Sequence, residues 1–284
     1  MVGAEPEWDV PLRLLGGMHY LVLGGEASWD DSPAQHAAFL SRFIREQSVQ
    51  TNEVQRSWVL APLFCRVAAR TGSADVNLLE LGPSAGLNLV WDRYRSEYEM
   101  GAVGPVDAPL VLRGEERRAI PASLLEHAPG VRTRIGIDKA PVDVRSDDGA
   151  RLLKAFVWAD QDERLVRLET AIAVLRDDPP ELVRGDFVEL LPEVLAAQPR
   201  DELTIVFQTA ALGYVPAPER ERVRRALDDA GVELPLAFVT AGNPRAGVHD
   251  WGLRIVYWPG GGREFVGHAD YHGRWLDLDL GLSR

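Results

Sequence analysis

Apolar positions recur at helical spacing in the first quarter of the chain and in short, dense runs thereafter. Ser32-Pro33 supplies a capping hydroxyl and then a proline where its missing N–H does no harm; from there Phe39, Leu40, Phe43 and Ile44 share one helical face. A second helix is predicted from about Asn52 through Val54, Trp58, Leu63, Phe64 and Val67 to Ala69, closed by Thr71-Gly72. The period then changes. Val76 to Leu81 is a short apolar run with Glu80 near its end. Gly82-Pro83-Ser84-Ala85-Gly86 follows at once, and then a helical pattern through Leu87, Leu89, Val90 and Tyr94. The reading is strand, glycine turn, helix. Further strands are predicted at 131–137, 182–184, 203–207, 236–240 and 253–258, with helices at 163–175, 187–197 and 218–230 between several of them. This alternation predicts a mostly parallel sheet with helices on both faces. At the end it stops: 253–258, Gly260-Gly261-Gly262, 264–268 and 275–278 read as antiparallel strands at the sheet edge. Residues 95–130 hold several glycines and prolines and one short strand candidate at 110–112, so they read as an insertion near a ligand site. The expected organisation is a helical cap over 1–72 and a Rossmann-like α/β domain over 73–284.

Composition narrows the function classes. With 284 residues, 46% of them hydrophobic, the chain can bury a substantial core. A formal net charge of −12 repels phosphate backbones and anionic lipid, which argues against nucleic-acid and membrane-surface binding. No apolar stretch approaches a membrane span, and residues 1–10 are acidic, unlike a secretory signal. The single cysteine, Cys65, sits in an apolar helical run and reads as a buried hydrophobe. These features fit a reducing, cytoplasmic setting and a small-molecule substrate, and they leave the oligomeric state open. Trp58, Trp158, Trp251, Trp258 and Trp275 read as core or pocket-wall residues.

The chemistry concentrates at Glu80-Leu81-Gly82-Pro83-Ser84-Ala85-Gly86. A first strand of a doubly wound sheet ends at the ligand crevice, its glycines permit a sharp turn and close approach, and an acid at its end can accept hydrogen bonds from a ligand. The spacing Glu-x-Gly-x-x-x-Gly differs from the Gly-x-Gly-x-x-Gly of dinucleotide sites. Glu80-x-Gly82-x-Ser84-x-Gly86 resembles the first motif of class I S-adenosylmethionine-dependent methyltransferases. More specifically, Val49 to Glu53, Glu80 to Leu89 with Asp92-Arg93-Tyr94, and His272-Gly273-Arg274-Trp275 resemble a bacterial family catalogued as a domain of unknown function (family 2332), over nearly the whole chain.

The methyltransferase resemblance implies S-adenosylmethionine as cofactor and methyl transfer to a small molecule. It implies that Gly82, Ser84 and Gly86 lie beside the methionine half, with Glu80 and Asn88 close by. It further implies that Asp138 holds the ribose hydroxyls and that Asp186 stands near the adenine amine, while Asn52 and Glu53 fold over the cofactor from the cap. Gln208 and Tyr214, after the fourth strand, become candidate substrate contacts; the family often has a histidine where Gln208 stands, so a proton acceptor is absent there. No general base is assigned. Other readings stand beside this one. Thr51 or Asn52 can be a simple helix cap, Asp186 an N-cap and Glu80 a satisfied strand-end carboxylate. Glu97 and Glu99 are rivals for Asp138. Gly82-x-Ser84-x-Gly86 also matches a hydrolase nucleophile elbow, with His249, His268 or His272 as partner. His268, Asp270 and His272 are a conceivable metal set. A cofactor-binding module without turnover is a further alternative.

Overall fold

The structure is a computed structural model that describes residues 9–50, 53–242 and 250–279. It divides into two compact units, residues 1–53 with 142–176, and residues 54–141 with 177–284. In chain order the elements are α1 (Val10–Leu23), α2 (Ala37–Glu46), α3 (Arg56–Thr71), β1 (Asp75–Leu81), β2 (Arg95–Tyr98), β3 (Gly101–Val103), β4 (Val111–Leu112), β5 (Glu115–Glu116), α4 (Ala122–Leu125) and β6 (Gly130–Asp138). They continue as α5 (Asp147–Ala155), α6 (Asp162–Asp177), β7 (Glu181–Arg184), α7 (Phe187–Ala196), β8 (Thr204–Thr209), α8 (Ala217–Ala230), β9 (Leu236–Gly242), β10 (Asp250–Trp258), β11 (Gly262–Asp270) and β12 (Trp275–Leu278).

The smaller unit holds α1, α2, α5 and nearly all of α6. Its interior is aromatic: Phe43 packs on Phe39, Tyr20 and Phe156 with ring centres 5.8–6.0 Å apart. Gly16 and Gly17 of α1 make room for Phe156 and for Leu40 with Phe43, because a Cβ at either would come within 2.9 Å of those side chains. Trp158 is exposed rather than part of a core. The predicted boundary at residue 72 falls inside the larger unit, to which α3 belongs.

The larger unit is built on a sheet of order β5-β12-β11-β10-β9-β8-β1-β6-β7 among the described residues. Pairing is parallel across β7, β6, β1, β8 and β9, and antiparallel from β9 through β10 and β11 to β12. This is a mostly parallel α/β sheet with an antiparallel C-terminal edge, as the alternation predicts. The chain leaves β1 toward β6 and β7, then returns to β8 on its other side, so the order reverses between β1 and β8; the crevice at their carboxyl ends is where such sheets bind ligands. Leu79, Leu81, Ile137 and Val206 pack with Phe187, Leu191 and Leu195 of α7 and with Val223 and Leu227 of α8. On α3, Phe64 packs against Phe207 and Trp91, ring centres 5.2 and 5.1 Å away.

Two expectations need correction. The glycine turn does not open a helix: residues 84–90 form successive turns and only Trp91–Arg93 makes a 3-10 turn. Gly82, Ser84 and Gly86 have φ of +72°, +58° and +84°, which a right-handed helix does not allow. The bonds that form are the short-range Gly86 N–H to Pro83 carbonyl and Leu89 N–H to Gly86 carbonyl. The region 95–130, in turn, carries more regular structure than one short strand: β2, β3 and β4 make a separate small sheet, and β5 pairs with β12. Among the described residues no helix is long and apolar enough to cross a membrane.

Candidate functional site

The larger unit gathers its unusual polar groups at the carboxyl ends of β1 and β8. Glu80 is the penultimate residue of β1 and lies level with Phe207 of β8. Neighbours in a parallel ladder share a face, so Glu80 points to the α3 side of the sheet, where Phe207 meets Phe64. Glu80 is 2% exposed, and its Oε2 is buried with no hydrogen-bond partner. Burial pushes its carboxyl up to about 8; the nearby Arg56 guanidinium opposes the shift and Asp138 adds to it.

Arg56 begins α3 and is 3% exposed. Its guanidinium lies over the rings of Trp251 and Tyr271, 4.5 and 4.7 Å from their centres. Its Nε donates to the Tyr271 carbonyl at 3.3 Å, and its Nη1 reaches the Thr209 carbonyl and hydroxyl at 3.4 and 3.3 Å. Its Nη2 is buried without a partner. Thr209 ends β8, two residues past the neighbour of Glu80 and on the same face.

The turn after β11 fixes these contacts. Burial disfavours the ionised Asp270, but bonds from the Arg274 side chain and from the Arg274 and His272 amides outweigh it and hold the carboxyl at about 2. Gly273, at φ +74°, lets this turn lie against α3: a Cβ there would sit 2.7 Å from the Gln55 carbonyl oxygen. The family-like segment 272–275 thus shapes the backbone that presents Tyr271 to Arg56. Asp270 spends its oxygens on this turn, and no cluster of three metal-ligating side chains exists among the described residues.

The structure brings most of the candidate cofactor residues together. Ser84 donates its amide to Asp138 Oδ2 at 2.8 Å, so the acid ending β6 braces the strained turn after β1; its other oxygen accepts from Ala140. Asn88 accepts from the Ser57 hydroxyl of α3 at 2.8 Å. Asp186 caps α7 through Val188 N–H and pairs with Lys139, and Gly185 N–H bonds the Asp138 carbonyl. Gln208 is buried and spans β8, β9 and the next loop, bonding the Ala241 carbonyl and Leu212 N–H. That loop brings Ala211 against Gly82, where a Cβ on the glycine would come within 2.8 Å of the Ala211 methyl. Gly82 therefore serves loop packing as well as the turn.

Other candidates have other partners or lie outside the described residues. Glu53 belongs to the smaller unit, where Arg164 and Arg167 take its two oxygens at 3.0 and 3.5 Å. Asn52 and Thr51 lie outside the described residues, as does His249. Tyr214 is 60% exposed. Glu97 lies in β2 of the small sheet and pairs with Arg95 and Arg113. Glu99 lies just beyond β2, where its amide bonds Glu116. His268 packs edge-on to Phe265 and His272 to Tyr271. Burial pushes the Cys65 thiol up to about 12, so it is held in its unreactive protonated form. Sequence reasoning missed Arg56, Thr209 and Tyr271. The available signal was one charged residue opening the apolar α3, which alone reads as a surface position.

Fold and crevice define a Rossmann-like α/β protein with a buried polar site at the reversal of strand order. Residues 26–278 match the family described as "Uncharacterized protein conserved in bacteria (DUF2332)", and the chain belongs to that family. No curated protein matches it. Among solved structures it is distantly similar to monomeric WbdD, at 14% identity and a TM-score of 0.30, over 86% of this chain and 35% of that one. It thus spans about a third of WbdD's length. It is also similar to cofactor-bound Rv0187 from MTB (13% identity, TM-score 0.26, 78% of this chain and 70% of that one). A third is an S-adenosylmethionine-dependent methyltransferase from Clostridium acetobutylicum ATCC 824 (11% identity, TM-score 0.28, 84% and 78%).

Proposed function

We propose that this protein binds S-adenosylmethionine at the carboxyl ends of β1 and β8 and uses it to methylate a small molecule. The observation that carries the reading is Glu80: a buried carboxyl with an unpartnered oxygen, two residues before a turn held in left-handed backbone. A carboxyl is not left this way without cost, about 1–3 kcal/mol for a buried unsatisfied group, and a ligand donor relieves it. The residues fit the cofactor. Glu80 offers an acceptor to the amino group of its methionine half. Asp138 stands at the end of the neighbouring strand, where the ribose hydroxyls fall in such sheets, and already orders the turn through Ser84. Asp186 follows the next strand, β7.

When bound, the cofactor supplies an electrophilic sulfonium methyl, so the protein's task is to align an acceptor and exclude water. Buried Trp251 and the Arg56 guanidinium provide a desolvated boundary on the α3 side. The test is binding. S-adenosylhomocysteine at about 100 times its Kd stabilises the native state by about 2.7 kcal/mol, a rise of about 5 °C in Tm. No shift at millimolar ligand refutes the reading. Binding without consumption of methyl groups across an acceptor panel leaves a binding module in place of an enzyme.

A further inference from the structure

The antiparallel end of the sheet has one face that the helices leave open. Phe238 of β9 and Val256 of β10 pair across the strands and pack beneath α7 and α8. Side chains two residues along a strand share a face, so Thr240 and Arg254 form the next row, and Phe265 of β11 stands opposite Arg254. Among the described residues no helix follows α8 to cover this row. Phe265 is accordingly 50% exposed, and Arg254 is exposed. The Arg254 guanidinium is nonetheless held in place. It lies over the Phe265 ring, 5.3 Å from the centre, and His268 meets the same ring edge-on at 5.0 Å. Gly252 makes the space: a Cβ there would come 3.1 Å from Nη1 of Arg254 and 3.4 Å from the Phe265 ring. No carboxylate or hydrogen-bond acceptor among the described residues engages this guanidinium.

Beside the guanidinium the sheet is bare. Gly252 pairs directly with Gly242, and on the far side Gln208 of β8 holds its Nε2 3.6 Å from where a Gly242 Cβ would stand. Arg254 thus borders a flat strip of backbone that runs to the end of β8. A guanidinium fixed on a ring, with its N–H edge free, has met much of its ordering cost before anything binds, and its fork matches the two oxygens of a carboxylate. The monoanion also suits a chain of net charge −12: Arg254 neutralises it fully, whereas a dianionic phosphate keeps a charge that the rest of the protein repels. We propose that Arg254 and Phe265 bind the carboxylate of a small molecule whose flat apolar body lies along Gly252 and Gly242 toward β8; under the function proposed above, this molecule is the methyl acceptor. That role rests on the assigned cofactor site, while the carboxylate site stands on Arg254 and its surroundings.

The probes are benzoate, its neutral counterpart benzamide, and phenyl phosphate, each titrated against the full chain by ligand-observed NMR. Benzoate should bind the wild type at least about tenfold more tightly than benzamide. Arg254→Gln should bring the two within about threefold of each other and leave S-adenosylhomocysteine affinity within about threefold of wild type. Arg254→Lys, which keeps the charge without the fork, should fall between. A wild type with no preference for benzoate, or a preference that survives Arg254→Gln, overturns the proposal. Tighter binding of phenyl phosphate than of benzoate, lost in Arg254→Gln, overturns the carboxylate assignment in favour of a phosphate. A benzoate preference without any binding of S-adenosylhomocysteine overturns the acceptor role together with the methyltransferase reading. Binding of S-adenosylhomocysteine without the preference overturns this inference alone.

Discussion

Replacing Glu80 by glutamine tests the electrostatics of the crevice without any ligand. The substitution keeps the shape of the side chain and removes its ionisation. In the folded protein the Glu80 carboxyl ionises near pH 8, against an ordinary value of 4.5. Between those values the native state holds a proton that the unfolded chain has released. A group whose pKa is raised on folding contributes stability that is fully present below the unfolded value and lost as pH rises toward the folded one. Wild-type stability should therefore fall relative to Glu80→Gln by about 1.4 kcal/mol for each pH unit across this window, or about 3 kcal/mol between pH 5 and pH 7. Urea unfolding of both proteins at pH 5, 6, 7 and 8 measures the difference, in which titration of every other group cancels. Above pH 8 the two curves should run parallel. A difference constant within about 0.5 kcal/mol from pH 5 to pH 8 would show that Glu80 ionises normally, and the buried, unfulfilled carboxyl would lose its place in the argument.

Two further substitutions probe the turn itself. Gly82→Ala imposes a side chain at φ +72° and a contact with Ala211, so it should destabilise by about 2 kcal/mol; adding Ala211→Gly should recover only the contact portion, and full recovery in urea unfolding would mean the backbone carries no strain. Ser84→Ala should leave S-adenosylhomocysteine affinity within about threefold and any hydrolysis of nitrophenyl esters unchanged; loss of a measurable esterase rate would restore the nucleophile-elbow reading of the +58° serine.

The sheet was legible in the sequence because its central strands are dense apolar runs buried on both faces, as β1 and β8 are. The end of the parallel pattern was legible because no helical stretch separates 253–258 from the strands that follow. Two kinds of feature were not legible. Leu87, Leu89, Val90 and Tyr94 have helical spacing, yet left-handed positions at 82, 84 and 86 redirect the chain; apolar spacing reports burial, not the backbone path that achieves it. The placement of α5 and α6 beside α1 and α2 in one unit joins segments about 100 residues apart, which no local pattern encodes. For the candidate site, Glu80 stood out as an acid near the end of an apolar strand and Asp138 as the acid after Gly136-Ile137. Arg56 did not, because its meaning comes from Trp251 and Tyr271, about 200 residues away.

The glycine turn also changes its meaning between sequence and structure. From the sequence, a bare turn after the first strand suggests room for a ligand. In the fold, the Gly82 surface faces Ala211, and Gly86 faces Pro180, where a Cβ would come within 2.7 Å of the ring. Both glycines are thus accounted for by backbone conformation and by neighbours within the chain, and neither requires a ligand. The weight passes to groups that the chain leaves unfulfilled. A fold can explain a missing side chain by packing, but packing does not explain a carboxyl oxygen of Glu80 and a guanidinium nitrogen of Arg56 both buried and both without hydrogen-bond partners. The guanidinium of Arg56 is engaged by the rings of Trp251 and Tyr271, the Tyr271 carbonyl and Thr209. Under the proposed function, a bound cofactor supplies Glu80 with the donor that the fold withholds.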